Sequence, residues 1–367
     1  MFIRKSKNMK KSYDKILGSL LGGAIGDALG YPVEFISADA IKKKYGPNGI
    51  TEYSLTRGRA LISDDTQMTL FTANGILLAD ARENAPISIN TYRDHIRRCY
   101  KDWLTTQSHS FTFAKDLDTC AWLMNIPELF NARAPGITCI SALESDKLGS
   151  VSKPINSSKG CGGVMRVAPI GLYFTESESM SQRDIDMLGA EAAAITHGHE
   201  LGYIPAAILV HIISLLSHGY TSVRDAVIHA SGEAYKLFAD TEHFPKLLKL
   251  ICSALAYAQS DTDEFEAITS LGEGWVAEEA LAISIYCAVK HENDFEKAIV
   301  TSVNHNGDSD STGAITGNIL GAHLGADAIP ERFKRDLEIY DVICELAKDL
   351  SSETDSLGRS KKYMRTV

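Results

Sequence analysis

Glycines recur inside two apolar stretches that lie far apart in the chain: Gly18, Gly22, Gly23, Gly26 and Gly30, then Gly313, Gly317, Gly321 and Gly325. Each interior glycine costs a helix about 0.5–1 kcal/mol relative to alanine, so a chain keeps such a series only where something offsets it. Close backbone approach between packed helices is the gain that fits. The rest of the chain agrees. Val276, Ala277, Ala280, Leu281, Ser284, Cys287 and Ala288 recur at intervals of three and four, which gives one apolar or small face. Residues 203–216 are apolar nearly all round, as a central buried helix would be. Residues 70–78 and 315–324 also fit helices. There is no sustained period-two alternation, so any sheet is minor, and no period of 20–50 residues marks a solenoid. The expected architecture is all-α: one helical domain over residues 13–350, a flexible basic arm at 1–12 and a polar C-terminal tail at 351–367 that frays.

Composition limits the partners. A chain of 367 residues with 44% hydrophobic and 23% charged content has ample material for a core and reads as an ordinary globular protein. Its net charge of -10 argues against nucleic acid. A phosphate-bearing ligand would need local help from metal ions or backbone N–H groups. Cys99, Cys120, Cys139, Cys161, Cys252, Cys287 and Cys344 form no CxxC pair, as expected of free thiols in the cytoplasm. Lysines and arginines before the apolar run Ile16–Gly26 imitate a secretory leader, but the run holds four glycines and meets Asp27 at once. It reads as a core helix. No apolar stretch reaches the roughly 20 residues that cross a bilayer, so no membrane partner is expected, and a monomer is.

Two acidic clusters carry the chemistry. Ser63-Asp64-Asp65-Thr66 and Asp308-Ser309-Asp310-Ser311-Thr312 are runs of carboxylates and hydroxyls without Lys or Arg, each followed by a helix-like stretch. Such oxygen-only donors suit Mg2+, Mn2+ or Ca2+ rather than zinc. An Asp-rich turn is also what a helix N-cap requires, so a single cluster decides nothing; two with the same grammar favour metal. A third feature, Ser157-Ser158-Lys159-Gly160-Cys161-Gly162-Gly163, leads into Val164-Met165-Arg166-Val167-Ala168-Pro169. Its glycines can offer N–H groups to a phosphate, although the spacing is that of neither a P-loop nor a dinucleotide fold.

Taken in order, the motifs resemble those of the ADP-ribosylglycohydrolase family. They run through Gly22–Gly30 with Pro32-Val33-Glu34, Ser63–Thr69, Arg133-Ala134-Pro135-Gly136, the glycine loop with Met165–Pro169, Thr196-His197, Gly272-Glu273-Gly274-Trp275 and Gly307–Thr312. The resemblance implies a compact orthogonal helical bundle with two divalent ions, Mg2+ or Mn2+, in a cleft. It implies Ser63, Asp64, Asp65, Asp308, Asp310 and Ser311 as metal ligands, with Glu34 near the ribose. Glu34, Asp65 and Asp310 are the candidate catalytic residues, Glu34 the preferred base. Gly160, Cys161, Gly162, Gly163, Val164 and Met165 match the loop that holds the diphosphate; His197, Gly272, Gly274 and Trp275 match segments bordering the ADP-ribose cleft. Arg166 would bind a phosphate or pair with an aspartate. Serine stands at 63 and 311 where the family often has threonine, which keeps a hydroxyl for the metal. Cys161 stands where asparagine is frequent and lacks the amide's hydrogen bonds.

The implied activity is hydrolysis that removes mono-ADP-ribose from modified protein side chains, arginine first among them. A second class is an antagonist that binds an ADP-ribosyltransferase toxin, with residues 1–12 as the contact. A third is an inactive structural relative, against which the four aspartates speak.

Overall fold

The computed structural model describes residues 12–83, 86–145, 147–177, 180–351 and 356–364. Nine of its helices carry the argument: α1 (Tyr13–Gly30), α2 (Asp64–Arg82), α3 (Ile89–Ser108), α4 (Gln182–Ala194), α5 (Glu200–Ser217), α6 (Val223–Phe238), α7 (Ala277–Lys290), α8 (Ser309–Leu324) and α9 (Ser356–Met364). Among the described residues there is no strand, only isolated bridges such as Gly160 with Val276. The all-α expectation holds.

The glycine series explains the centre of the fold. A Cβ on Gly18 would lie 2.5 Å from the Gly321 carbonyl oxygen, one on Gly22 2.2 Å from that of Gly317, and one on Gly26 2.0 Å from that of Gly313. At Gly30 the obstacle is the Ser309 carbonyl, at 2.3 Å. Numbers rise along α1 as they fall along α8, so the two helices run antiparallel with their backbones in contact. Polar groups pin the register: Ser19 Oγ donates to the Asn318 carbonyl at 2.9 Å, and Asn318 Nδ2 donates to the Ser19 carbonyl at 2.8 Å. The pairing delivers the C-terminal end of α1, and Glu34 after it, to the N-terminus of α8.

Around this pair α5 is buried along most of its length, as its composition requires, and α7 packs beside it. Two segments, Tyr13–Val33 and Glu200–Ser217, do have the length and hydropathy to cross a membrane, contrary to the expectation from sequence. Within the protein 83% and 89% of those windows are buried, which is what core helices of this composition require.

The tail also departs from expectation. Residues 356–364 form α9 against α2, with Tyr363 fully buried and its hydroxyl 2.6 Å from Asp349 Oδ2, while Lys362 Nζ lies 3.6 Å from the centre of the Trp122 ring. One buried aromatic and one cation–π contact anchor a stretch that has no apolar period. The expected basic arm, and the toxin contact proposed for it, lie outside the described residues, save Ser12, whose hydroxyl caps α1.

Candidate metal centre

Both acidic clusters are helix N-termini, so the capping reading is true of part of each. Ser63 caps α2, its Oγ accepting from the Asp65 N–H at 3.2 Å. Asp308 caps α8, its Oδ1 accepting from the Ser311 N–H at 3.1 Å. Capping leaves the remaining carboxylates unexplained. Asp64, Asp65, Asp308 and Asp310 are all at most 5% exposed, where an uncompensated charge is costly.

Asp27 draws the two termini together. From the last turn of α1 it accepts the Ser63 N–H at 2.9 Å, the Thr66 N–H at 3.1 Å and the Thr66 hydroxyl. The Ser63 hydroxyl in turn donates to Asp65 Oδ2 at 3.5 Å. Asp64 is fixed from behind: its N–H donates to the Arg133 carbonyl and its Oδ2 accepts from the Gly136 N–H at 3.3 Å. The intervening Ala134 has φ +52°, and Arg133 is anchored on Glu338 at 3.1 Å.

Oxygen atoms of Glu34, Asp308 and Asp310 lie within 4.8 Å of one another, all three residues buried. Glu34 thus joins the second acidic cluster directly; Asp64 and Asp65 stand outside that tight group. None of the hydrogen bonds to these carboxylates comes from Lys or Arg among the described residues. Burial, and then the charge of Asp310 and its neighbours, pushes Glu34 up to about 10. Asp27 is pushed up to about 7 by burial and Asp310, against the bonds from Thr66 and Ser63. Asp64, Asp65 and Asp310 are raised well above the usual carboxylate range, burial first and mutual repulsion second. Glu34 Oε2 and Asp65 Oδ1 are buried without any donor. Clustered carboxylates with idle oxygens fit a hard divalent cation.

The glycine loop lies against this centre. Cys161 Sγ donates to Asp308 Oδ2 at 2.8 Å, and burial pushes the thiol well up, so it keeps its proton for that bond. The Cys161 N–H goes to the Trp275 carbonyl, and the Val164 and Met165 N–H groups go to the Cys161 carbonyl. Gly162 and Gly163 are left as the backbone donors. Val164 and Met165 bury their side chains in the core. Gly272 (φ +131°) and Gly274 (φ +83°) turn the next segment, whose Glu273 carbonyl accepts the Asp308 N–H at 2.9 Å. That contact sets Trp275 beside the centre, stacked on Phe35 with ring centres 5.7 Å apart, and both rings are partly exposed.

A sequence model of the ADP-ribosylglycohydrolase family matches residues 8–359. The chain belongs to that family. Among its relatives is the ADP-ribosylhydrolase ARH3 of Homo sapiens, 25% identical over 241 residues, covering 58% of this chain and 65% of that protein. The chain therefore spans less than two thirds of that relative's length. The ADP-ribosyl-[dinitrogen reductase] glycohydrolase of Rhodospirillum rubrum is 24% identical over 367 residues, 94% of this chain and 96% of its own. A solved ADP-ribosylglycohydrolase-related protein complex shares the fold with a TM-score of 0.61, at 23% identity over 93% of this chain and 98% of that one.

Within this member of the ADP-ribosylglycohydrolase family, one expectation from sequence needs correction. Arg166 neither pairs with an aspartate nor faces a phosphate. It is fully buried, donates to the Thr196 hydroxyl at 2.7 Å and the Ala192 carbonyl at 3.1 Å, and lies 4.3 Å over the Tyr100 ring. His197 packs beneath the glycine loop: it is 2% exposed, 2.8 Å from Thr196 Oγ1, and its Nε2 would sit 3.3 Å from a Cβ on Gly160. Asp27 is the residue that sequence reasoning left without a role. Its signal was present, an acid in an apolar glycine-rich helix with no cation three or four residues away.

Proposed function

We propose that this chain is a metal-dependent hydrolase that removes mono-ADP-ribose from modified protein side chains, with arginine-linked ADP-ribose the first substrate to test. The observation that carries the reading is the buried group Glu34, Asp308 and Asp310, with atoms within 4.8 Å and an idle Glu34 Oε2, beside a glycine loop. Family membership supports it, and the relative matched along nearly its whole length is named for acting on an ADP-ribosylated protein.

Ser63, Asp64, Asp65, Asp308, Asp310 and Ser311 would hold two divalent ions, Mg2+ or Mn2+. When bound, these supply positive charge that binds ribose hydroxyls and acidifies water. Glu34, whose buried Oε2 has no donor, would take the proton of the attacking water once bound ions have brought its raised pKa down. Cleavage of the glycosidic bond builds positive charge on the sugar, which the buried carboxylates face. Gly162 and Gly163 offer N–H groups to the diphosphate, and the Phe35–Trp275 stack offers an apolar face at the mouth.

The test is direct. Proteins carrying arginine-linked or serine-linked labelled ADP-ribose are incubated with the chain, with Mg2+ or Mn2+ and then with excess chelator. Metal-dependent release from at least one substrate is expected. Retention of label on both, with either metal, overturns the reading.

A further inference from the structure

Two exposed rings meet beside the acidic centre. Phe35 is 70% exposed and Trp275 38%, and they stack with their planes 21° apart. Both are carried by segments pinned near the N-terminus of α8. On one side the Ile36 N–H donates to the Val33 carbonyl at 3.2 Å, and the Ala38 N–H to Asn306 Oδ1 at 2.8 Å, which fix the turn that presents Phe35. On the other, the Trp275 carbonyl accepts the Cys161 N–H at 3.2 Å, and a Cβ on Gly274 would lie 3.4 Å from Asp308 Cβ. The backbone under both rings is therefore set before any ligand arrives. Among the described residues no lysine or arginine sits over either ring, although Phe265, Phe333 and Trp122 each have one. The surroundings favour a cation: Glu273 is exposed two positions before Trp275, and Lys159, at the start of the glycine loop, is held by buried Glu278.

We propose that Phe35 forms the acceptor subsite, on which the guanidinium of the modified arginine stacks, with Trp275 as a positioning residue behind it. The inference rests on the hydrolase reading above and narrows its substrate to arginine. Phe35 follows Glu34 directly, so their Cα atoms are about 3.8 Å apart. The sugar carbon attacked by water must lie near Glu34, and the departing side chain is bonded to that same carbon. Adenine lies beyond the diphosphate and a second ribose. A guanidinium is planar, cationic and weakly hydrated, and it stacks on aromatic faces. A serine-linked adduct carries no cation there and gains nothing from the ring.

The full chain carrying Glu34→Gln, in saturating Mn2+, is titrated by calorimetry with ADP-ribose and with one peptide bearing ADP-ribose on arginine or on serine. Glu34→Gln slows turnover, so that binding is what is read. The arginine-linked peptide should bind about fivefold or more tightly than the serine-linked one. Adding Phe35→Leu should abolish that difference and Phe35→Tyr should keep it, while affinity for ADP-ribose itself shifts by less than about twofold in both. Equal binding of the two peptides, or binding of neither, overturns the subsite. A parallel fall in ADP-ribose affinity with Phe35→Leu also overturns it, by placing the nucleotide on the ring. Release of label by the unsubstituted chain is scored separately: release from neither linkage, with the binding preference intact, overturns the hydrolase reading and leaves the subsite standing.

Discussion

Asp310 is where the centre's charges meet: it shares the tight group with Glu34 and Asp308, accepts the Ser311 N–H at 2.9 Å, and repels Glu34, Asp64 and Asp65. Asp310→Ala should therefore abolish Mn2+ binding and the proposed hydrolysis, because the remaining ligands leave a doubly charged ion under-coordinated. It should leave the helical circular dichroism intact, since the substitution removes a repelling charge. Full activity in the variant would sink the metal assignment. His197 offers a different test. Burial, and then Arg166, hold it down to about 3 from 6.5. The unfolded chain binds a proton below pH 6.5 that the folded chain refuses, so this group removes stability as pH falls from there toward 3. The slope is at most about 1.4 kcal/mol per pH unit. The crowded carboxylates act in the opposite sense, so the measurement is the urea midpoint of wild type against His197→Gln, between pH 7 and 5 in saturating Mg2+. The variant should lose less stability than the wild type as pH falls; equal slopes would mean His197 titrates normally. These residues also mark where sequence stops being informative. That acidic groups would gather in the fold was legible from the type and clustering of the four aspartates. Arg166 was not, because whether an arginine meets a phosphate or a tyrosine ring depends on which way one turn faces.

At the scale of helices, α1 and α8 stand or fall with their glycines. Gly22→Ala places a methyl group 2.2 Å from the Gly317 carbonyl oxygen, and both helices are too enclosed to separate without loss elsewhere. A cost of about 2–4 kcal/mol is expected, read as a lower denaturation midpoint. Gly232, exposed within α6 with nothing near its would-be Cβ, is the control: Gly232→Ala should stabilise by about 0.5–1 kcal/mol. If the two substitutions have equal effects, the helices do not pack as closely as described. The spacing of the glycines made helix-on-helix contact readable from the chain. Which series faces which, and in what direction, was not readable, because that information lies in carbonyl positions. The α9 helix was missed for a related reason, since among its described side chains only Tyr363 is buried and one residue makes no period.

For the molecule as a whole, the acidic centre links folding to cations. Buried carboxylates that repel one another weaken the metal-free fold, and an ion that binds only the folded chain adds about 2.7 kcal/mol at a hundred times its dissociation constant. Mg2+ or Mn2+ should raise the thermal midpoint of the wild type, chelator should reverse the rise, and Asp310→Ala should show none. A midpoint indifferent to both treatments would reduce the clusters to helix caps. The antiparallel seating of α1 on α8 has one more effect, which falls on synthesis. Ser19 and Asn318 are 299 positions apart, and at roughly 5–20 residues per second the ribosome takes about fifteen seconds to a minute to cover that distance. Throughout that interval α1 has no backbone to close against, and Asp308 and Asp310 have not been made. A nascent chain halted before residue 308 would carry an apolar, glycine-rich segment in need of shelter, and no means of gathering a cation.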